Sequence, residues 1–165
     1  MQVLLKWLQK AGATVLFIGY MPWMPGTFGS AVVIAGLWYM HYRTHFMPTT
    51  AMWWFGIIGL TAISVLLSSR PKEIFKTEDP KQVVIDECAG QLMTFFLIPI
   101  SINALVLGFL LFRFFDIVKP YPIYKVEELE GGIGITLDDV IAGVYANISL
   151  AACLWIYHVI MSYLH

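Results

Sequence analysis

Setting histidine aside, four stretches of this chain carry no charged side chain: residues 11–42, 44–69, 88–112 and 140–165. A helix needs about 20 mainly apolar residues to cross a bilayer, and in lipid the backbone must satisfy its own hydrogen bonds. The runs at 44–69 and 140–165 are each long enough for one crossing. Arg43 alone separates the first two runs. The other charges fall in three blocks: Lys6 with Lys10, then 70–87, then 113–139. Composition agrees: the 165 residues are 59% hydrophobic and 13% charged, with a mean hydropathy of +0.74. Soluble domains are about 45–50% apolar and about 25% charged. A net charge of −1 provides no clustered basic face, so nucleic acid is excluded as a partner. Cys88 and Cys153 lie inside apolar runs at no metal-binding spacing, and are expected to be buried, unpaired small hydrophobes. Lys10 interrupts the first apolar segment and no small-residue site closes it, so no cleavable signal peptide is expected.

The run at 11–42 is too long for one ordinary span, and "MPWMPGTFGS" at 21–30 breaks it. Residues 2–19 read as an apolar or interfacial helix. After a Pro-Gly turn, a membrane helix runs from about Thr27, with Thr27 or Ser30 as its cap, to Tyr42. "IPISIN" at 98–103 likewise divides 83–118 into two helices. The expected fold is thus all-α, a single-domain compact bundle of about five to six helices integral to a membrane. The positive-inside rule orients it. With Arg43 outside and a helical pair turning at 99–103, nine of the ten Lys and Arg residues lie in the cytoplasm. A single span through 88–112 leaves six there. The first topology is preferred, and it gathers every carboxylate on the cytoplasmic side. Trp38, Tyr39, Trp53, Trp54, Trp155 and Tyr157 read as interfacial belts.

Three motifs converge at that interface. "VIDECAGQ" brings Asp86 and Glu87. "FRFFDIVKPYPI" sets Arg113, Asp116 and Lys119 three residues apart, within about 120° of helical arc, before Pro120 and Pro122 end the helix. "GGIGITLDD" runs a glycine-rich turn into Asp138 and Asp139 at an expected helix start. Five carboxylates near lipid (Asp86, Glu87, Asp116, Asp138 and Asp139) raise one another's pKa, and desolvation raises them further. A divalent cation relieves that conflict, and oxygen ligands without convergent His or Cys point to Mg²⁺ or Mn²⁺. Arg113 and Lys119 suit an anion. The glycines of "PGTFGS" and "GGIG" can offer backbone N–H groups to oxyanions. Cation site, cationic clamp and N–H cradle describe a phosphate site at headgroup depth.

Each motif alone has a plainer reading. Asp138 and Asp139 can cap a helix, with Thr136 and Asp139 forming a capping box. Arg113 and Asp116 can be a structural i,i+3 pair, and "PGTFGS" a mere helix-breaking turn. Glu127, Glu128 and Glu130, with Lys125, read as a solvated loop face, and 70–81 as a polar connection. The coincidence of three charged motifs on one membrane face favours function, because each intramembrane ionisable group is costly.

At these residues the chain resembles the phosphatidylglycerophosphatase A family. "PGTFGS", "DECAG", "FRFFDIVKPYPI" and "GGIGITLDDVIAG" match its characteristic blocks in order, covering most of residues 25–143. The resemblance implies a Mg²⁺-dependent hydrolase of the bacterial inner membrane. Such an enzyme converts phosphatidylglycerophosphate to phosphatidylglycerol and phosphate. Other phosphatase classes fit poorly. C-x5-R fails at both cysteines, the D-x-D nucleophile motif is absent, and His41, His45, His158 and His165 lie away from the acidic cluster. On this reading Asp86, Glu87, Asp138 and Asp139 hold one or two Mg²⁺ ions, and Asp116 is a further ligand or the orienter of Arg113. Arg113 and Lys119 neutralise the phosphoryl group. Thr27 and Ser30, with the N–H groups near Gly26, Gly29, Gly132 and Gly134, contact substrate oxygens. Water attacks with a spare carboxylate as base, or an aspartyl-phosphate forms. The rival is a small membrane cation transporter using the carboxylates as a relay.

Overall fold

The uncharged runs form helices, and the charged blocks gather at one end of them. A computed structural model describes residues 2–77 and 80–164, without the side chains of Gln2 and Val3. Glu78 and Asp79 of the charged connection, and His165, lie outside the described residues. Eight α-helices occur there and no strand: α1 (Gln2–Ala13), α2 (Pro25–Arg43), α3 (Thr50–Leu67), α4 (Pro71–Phe75), α5 (Ile85–Thr94), α6 (Ile102–Val118), α7 (Ile123–Glu127) and α8 (Gly132–Leu164). A 3-10 turn at Ile18–Tyr20 links α1 to α2. The two helices beyond the expected six are α4 and α7, five residues each. They lie in charged segments that apolar periodicity does not mark.

Local chemistry sets the boundaries. The Thr49 hydroxyl accepts the Met52 N–H at 3.3 Å to start α3, and Ser101 accepts that of Ala104 at 3.1 Å to start α6. Lys119 closes α6 in the left-handed conformation (φ 44°) just before Pro120. Two expected caps are corrected. Pro25 opens α2 from its first position, where its missing N–H costs nothing. Thr27 and Ser30 are therefore interior, and Ser30 Oγ donates back to Gly26 O at 3.0 Å. Likewise α8 begins at Gly132 rather than beside Thr136, whose buried hydroxyl bonds Ser64 Oγ at 2.8 Å. Asp138 and Asp139 thus stand in the second turn of α8, beyond the reach of the unpaired N–H groups that a cap satisfies.

Short α5 occupies the centre, packed by α2, α3, α6 and α8. Leu37, Trp53, Ile57, Phe95, Leu105 and Leu150 join five segments into the main core. Trp53 is hence a core residue rather than part of a belt. A second cluster of Phe112, Ile123, Ala142 and Ala146 holds α7 against α6 and α8. Outward faces stay apolar: Phe55 is 80% and Trp155 67% exposed. Cys153 is exposed there too, against expectation, because at this level α8 turns Leu154 rather than Cys153 towards the core. Helices α3 and α8 are long and apolar enough to cross a membrane, and both are mostly exposed. A soluble protein buries such helices, so the pattern indicates membrane association.

Candidate active site at the carboxylate end of the bundle

Helices α5 and α8 touch backbone to backbone, and that contact builds the site. A Cβ on Gly90 would fall onto the Asp139 carbonyl oxygen, and one on Gly143 onto the Gly90 carbonyl oxygen. Only glycine permits that approach. Asp86 lies four residues before Gly90, and Asp139 four before Gly143. Asp86 therefore stands one turn before the crossing and Asp139 at its edge, so the two side chains can converge. Asp86, Glu87 and Asp139 each present an oxygen within 4.8 Å of the others, a group that could hold a metal ion.

These carboxylates line a cavity of ≈ 1000 Å³. The starts of α2, α4, α5 and α8 and the ends of α6 and α7 form its walls. Asp86 and Asp139 are 7% and 4% exposed. Burial raises the Asp86 carboxyl above its ordinary range, against the N–H it accepts from Glu87 at 3.0 Å. Burial, then the charge of Asp86, raises Glu87 well above its ordinary value. Glu87 Oε2 is buried without a hydrogen-bond partner among the described residues. Converging carboxylates with a spare buried oxygen fit a hard divalent cation.

The cationic residues stand beside this group. Arg113 Nη1 pairs with Asp116 Oδ2 at 2.7 Å, and both residues line the cavity. Lys119 Nζ donates to Asp138 Oδ2 at 2.8 Å and to Glu127 Oε1 at 2.6 Å. Burial opposes the ammonium charge, yet the two carboxylates outweigh it and raise the Lys119 pKa. Asp138 is thereby drawn towards Lys119, while its Oδ1 stays buried without a partner. Asp138 accordingly stands outside the group of three. Glu127 is no mere solvated face, because it completes the Lys119 bridge. The 70–81 connection also contributes cavity wall, at Arg70, Pro71, Lys72, Glu73, Pro80 and Lys81.

The expected N–H cradle is only partly present. Gly26 lines the cavity, where a Cβ would strike Glu87 Oε1 and come within 3.1 Å of Arg113 Nη1. Gly29 packs on Val84, Gly132 on the α3 terminus and Gly134 on Leu129 O. Thr27, Ser30, Gly29, Gly132 and Gly134 do not line the cavity. Their smallness serves close packing instead. Cysteine chemistry has no place here: Cys88 Sγ donates to Gly29 O at 3.2 Å, and burial pushes its thiol up to about 12.

The sequence profile of the phosphatidylglycerophosphatase A family matches residues 11–154. A Bacteroides thetaiotaomicron protein provisionally named phosphatidylinositol-3-phosphatase is 34% identical over 84% of this chain and 88% of its own. A phosphatidylglycerophosphatase A of Escherichia coli is 32% identical over 76% of this chain and 72% of its own. One from Haemophilus influenzae is 46% identical over 45% and 47% respectively. No solved structure matches.

Proposed function

Because the chain belongs to the phosphatidylglycerophosphatase A family, and so is a phosphatase, we propose that it dephosphorylates phosphatidylglycerophosphate at a bacterial inner membrane. The products are phosphatidylglycerol and inorganic phosphate. The observation that carries this reading is the convergence of Asp86, Glu87 and Asp139 in one cavity with Arg113 and Lys119. Asp86, Glu87 and Asp139 would hold Mg²⁺, with Asp138 adjoining. When bound, the ion neutralises phosphoryl charge and acts as a Lewis acid.

The chain's own groups do the rest. Arg113, oriented by Asp116, and Lys119, held by Asp138 and Glu127, bind the phosphate oxygens and stabilise the charge spread over them in the transition state. Asp138 Oδ1, buried and unpartnered, accepts the proton of the attacking water. Gly26 keeps the α2 backbone close enough to wall the site beside Glu87. The stretch of α8 beyond Asp139, together with α3, spans the bilayer with the cavity facing the cytoplasm, so the substrate presents only its headgroup.

The transporter alternative needs acids along a transmembrane path. Here they cluster at one end beside two cations, which favours phosphate chemistry. The Bacteroides relative supports a second substrate, phosphatidylinositol 3-phosphate. Both lipids carry a phosphomonoester on a polyol joined to diacylglycerol through a phosphodiester. Phosphate release by the purified chain in detergent, from each lipid, with Mg²⁺ or EDTA, tests the proposal. Mg²⁺-dependent release lost in Asp86→Asn and Asp139→Asn supports it, and no release from folded wild type overturns it.

A further inference from the structure

The cavity is larger than one phosphate needs, and the reaction above leaves its outer wall unused. Arg70, Lys72 and Lys81 line the same ≈ 1000 Å³ space as Arg113 and Lys119. Their backbones are held at both ends of the excursion. Ser68 and Pro71 are buried on one side of it, and Pro80 and Val83 on the other. The Val84 N–H then donates to Ala13 O at 3.0 Å, anchoring the exit. Arg70 follows the last residue of α3 by three positions, which is headgroup depth if α3 spans. Its ion pair with Glu73 is long at 3.9 Å, with both side chains exposed. A phosphate can displace so weak a pair. Glu73 shares that wall, and the Gly131 backbone lies beside Ser69 O, so Glu130 borders it; the three cations outnumber these two acids.

We propose that Arg70 and Lys81, with Lys72 beside them, form a second anion subsite for the phosphodiester that joins the substrate's headgroup to diacylglycerol. The carboxylate end takes the terminal phosphomonoester. This deepens the function proposed above and rests on it. The chain then selects lipids with two phosphates over phosphatidic acid, whose single phosphate is a monoester.

The experiment compares kcat/KM for phosphatidylglycerophosphate and phosphatidic acid in mixed micelles with Mg²⁺, using the full chain. The variants are Arg70→Gln/Lys81→Gln, the charge-conserving Arg70→Lys/Lys81→Arg, and Lys125→Gln. Lys125 sits over the Tyr121 ring, 5.2 Å from its centroid, and does not line the cavity. The expected result is a fall of about tenfold or more in the preference ratio of the double Gln variant, the scale of a charged hydrogen bond. It should enter through KM for the two-phosphate lipid and be restored by the charge-conserving pair, with Lys125→Gln unaffected. A ratio is indifferent to the amount of folded enzyme. An unchanged ratio in the double Gln variant, or an equal fall in Lys125→Gln, overturns the subsite while the function stands. No release from phosphatidylglycerophosphate by wild type overturns both.

Discussion

Asp138 and Asp139 are neighbours in sequence with different partners in space. Asp139 meets Asp86 and Glu87, whereas Asp138 is turned to Lys119. Their amides should therefore fail differently. Asp139→Asn is expected to weaken Mg²⁺ activation by about 10- to 100-fold, the usual scale for a disturbed metal site. Asp138→Asn should instead lower kcat and leave the half-activating Mg²⁺ concentration in place. A Mg²⁺ titration of phosphate release separates the two outcomes. Protonation adds a second prediction. Asp86 and Glu87 hold their protons more tightly folded than unfolded. Between their ordinary and folded pKa values the folded chain binds more protons than the unfolded one, so raising pH through that window lowers stability. Metal binding replaces those protons. Thermal unfolding in detergent should thus show a larger Tm gain from Mg²⁺ at pH 8 than at pH 5; equal gains would count against these residues as ligands.

At the scale of the helix, the crossing of α5 and α8 is the feature most sensitive to one methyl group. Gly143→Ala must push α8 from the Gly90 carbonyl, and overpacking of this kind costs about 1–3 kcal/mol. It should lower Tm and also phosphatase activity, because Asp139 moves with its helix. Gly36→Ala, inside α2 where nothing lies within 4 Å, is the matched control and should leave activity unchanged without lowering Tm. Much of this was legible in sequence. Uncharged runs and Pro breaks located six helices, and charge spacing named five of the nine carboxylates that line the cavity, among them the three that converge. Start positions were less legible: Thr136 looks like a cap, yet its hydroxyl is taken by Ser64, 72 residues away. Glu127 was missed because its partner, Lys119, is reached only through the α7 turn. The shared D-x3-G spacing in "DECAG" and "DDVIAG" was available as a signal for the crossing. Its meaning depends on two helices meeting, which no single segment reveals.

For the whole molecule, the orientation can be read by labelling. Cys88 is buried with a raised thiol pKa, and Cys153 lies on an apolar helix, so added cysteines can dominate. A cysteine at Lys81 should react with an impermeant maleimide only from the cytoplasmic side, and one at His45 only from the opposite side. The reverse pattern would overturn the topology. Leu150 is the last fully buried residue of α8 and Leu154 still packs on the main core, which leaves about 10 residues, roughly 15 Å of helix, beyond it. The converging carboxylates sit at the other extremity, clamped by the glycine crossing. If α8 spans as proposed, bilayers of different thickness will tilt or bend this distal arm before they disturb the clamp. The enzyme should accordingly work as a thickness-insulated tool, keeping similar turnover in vesicles of short and long acyl chains.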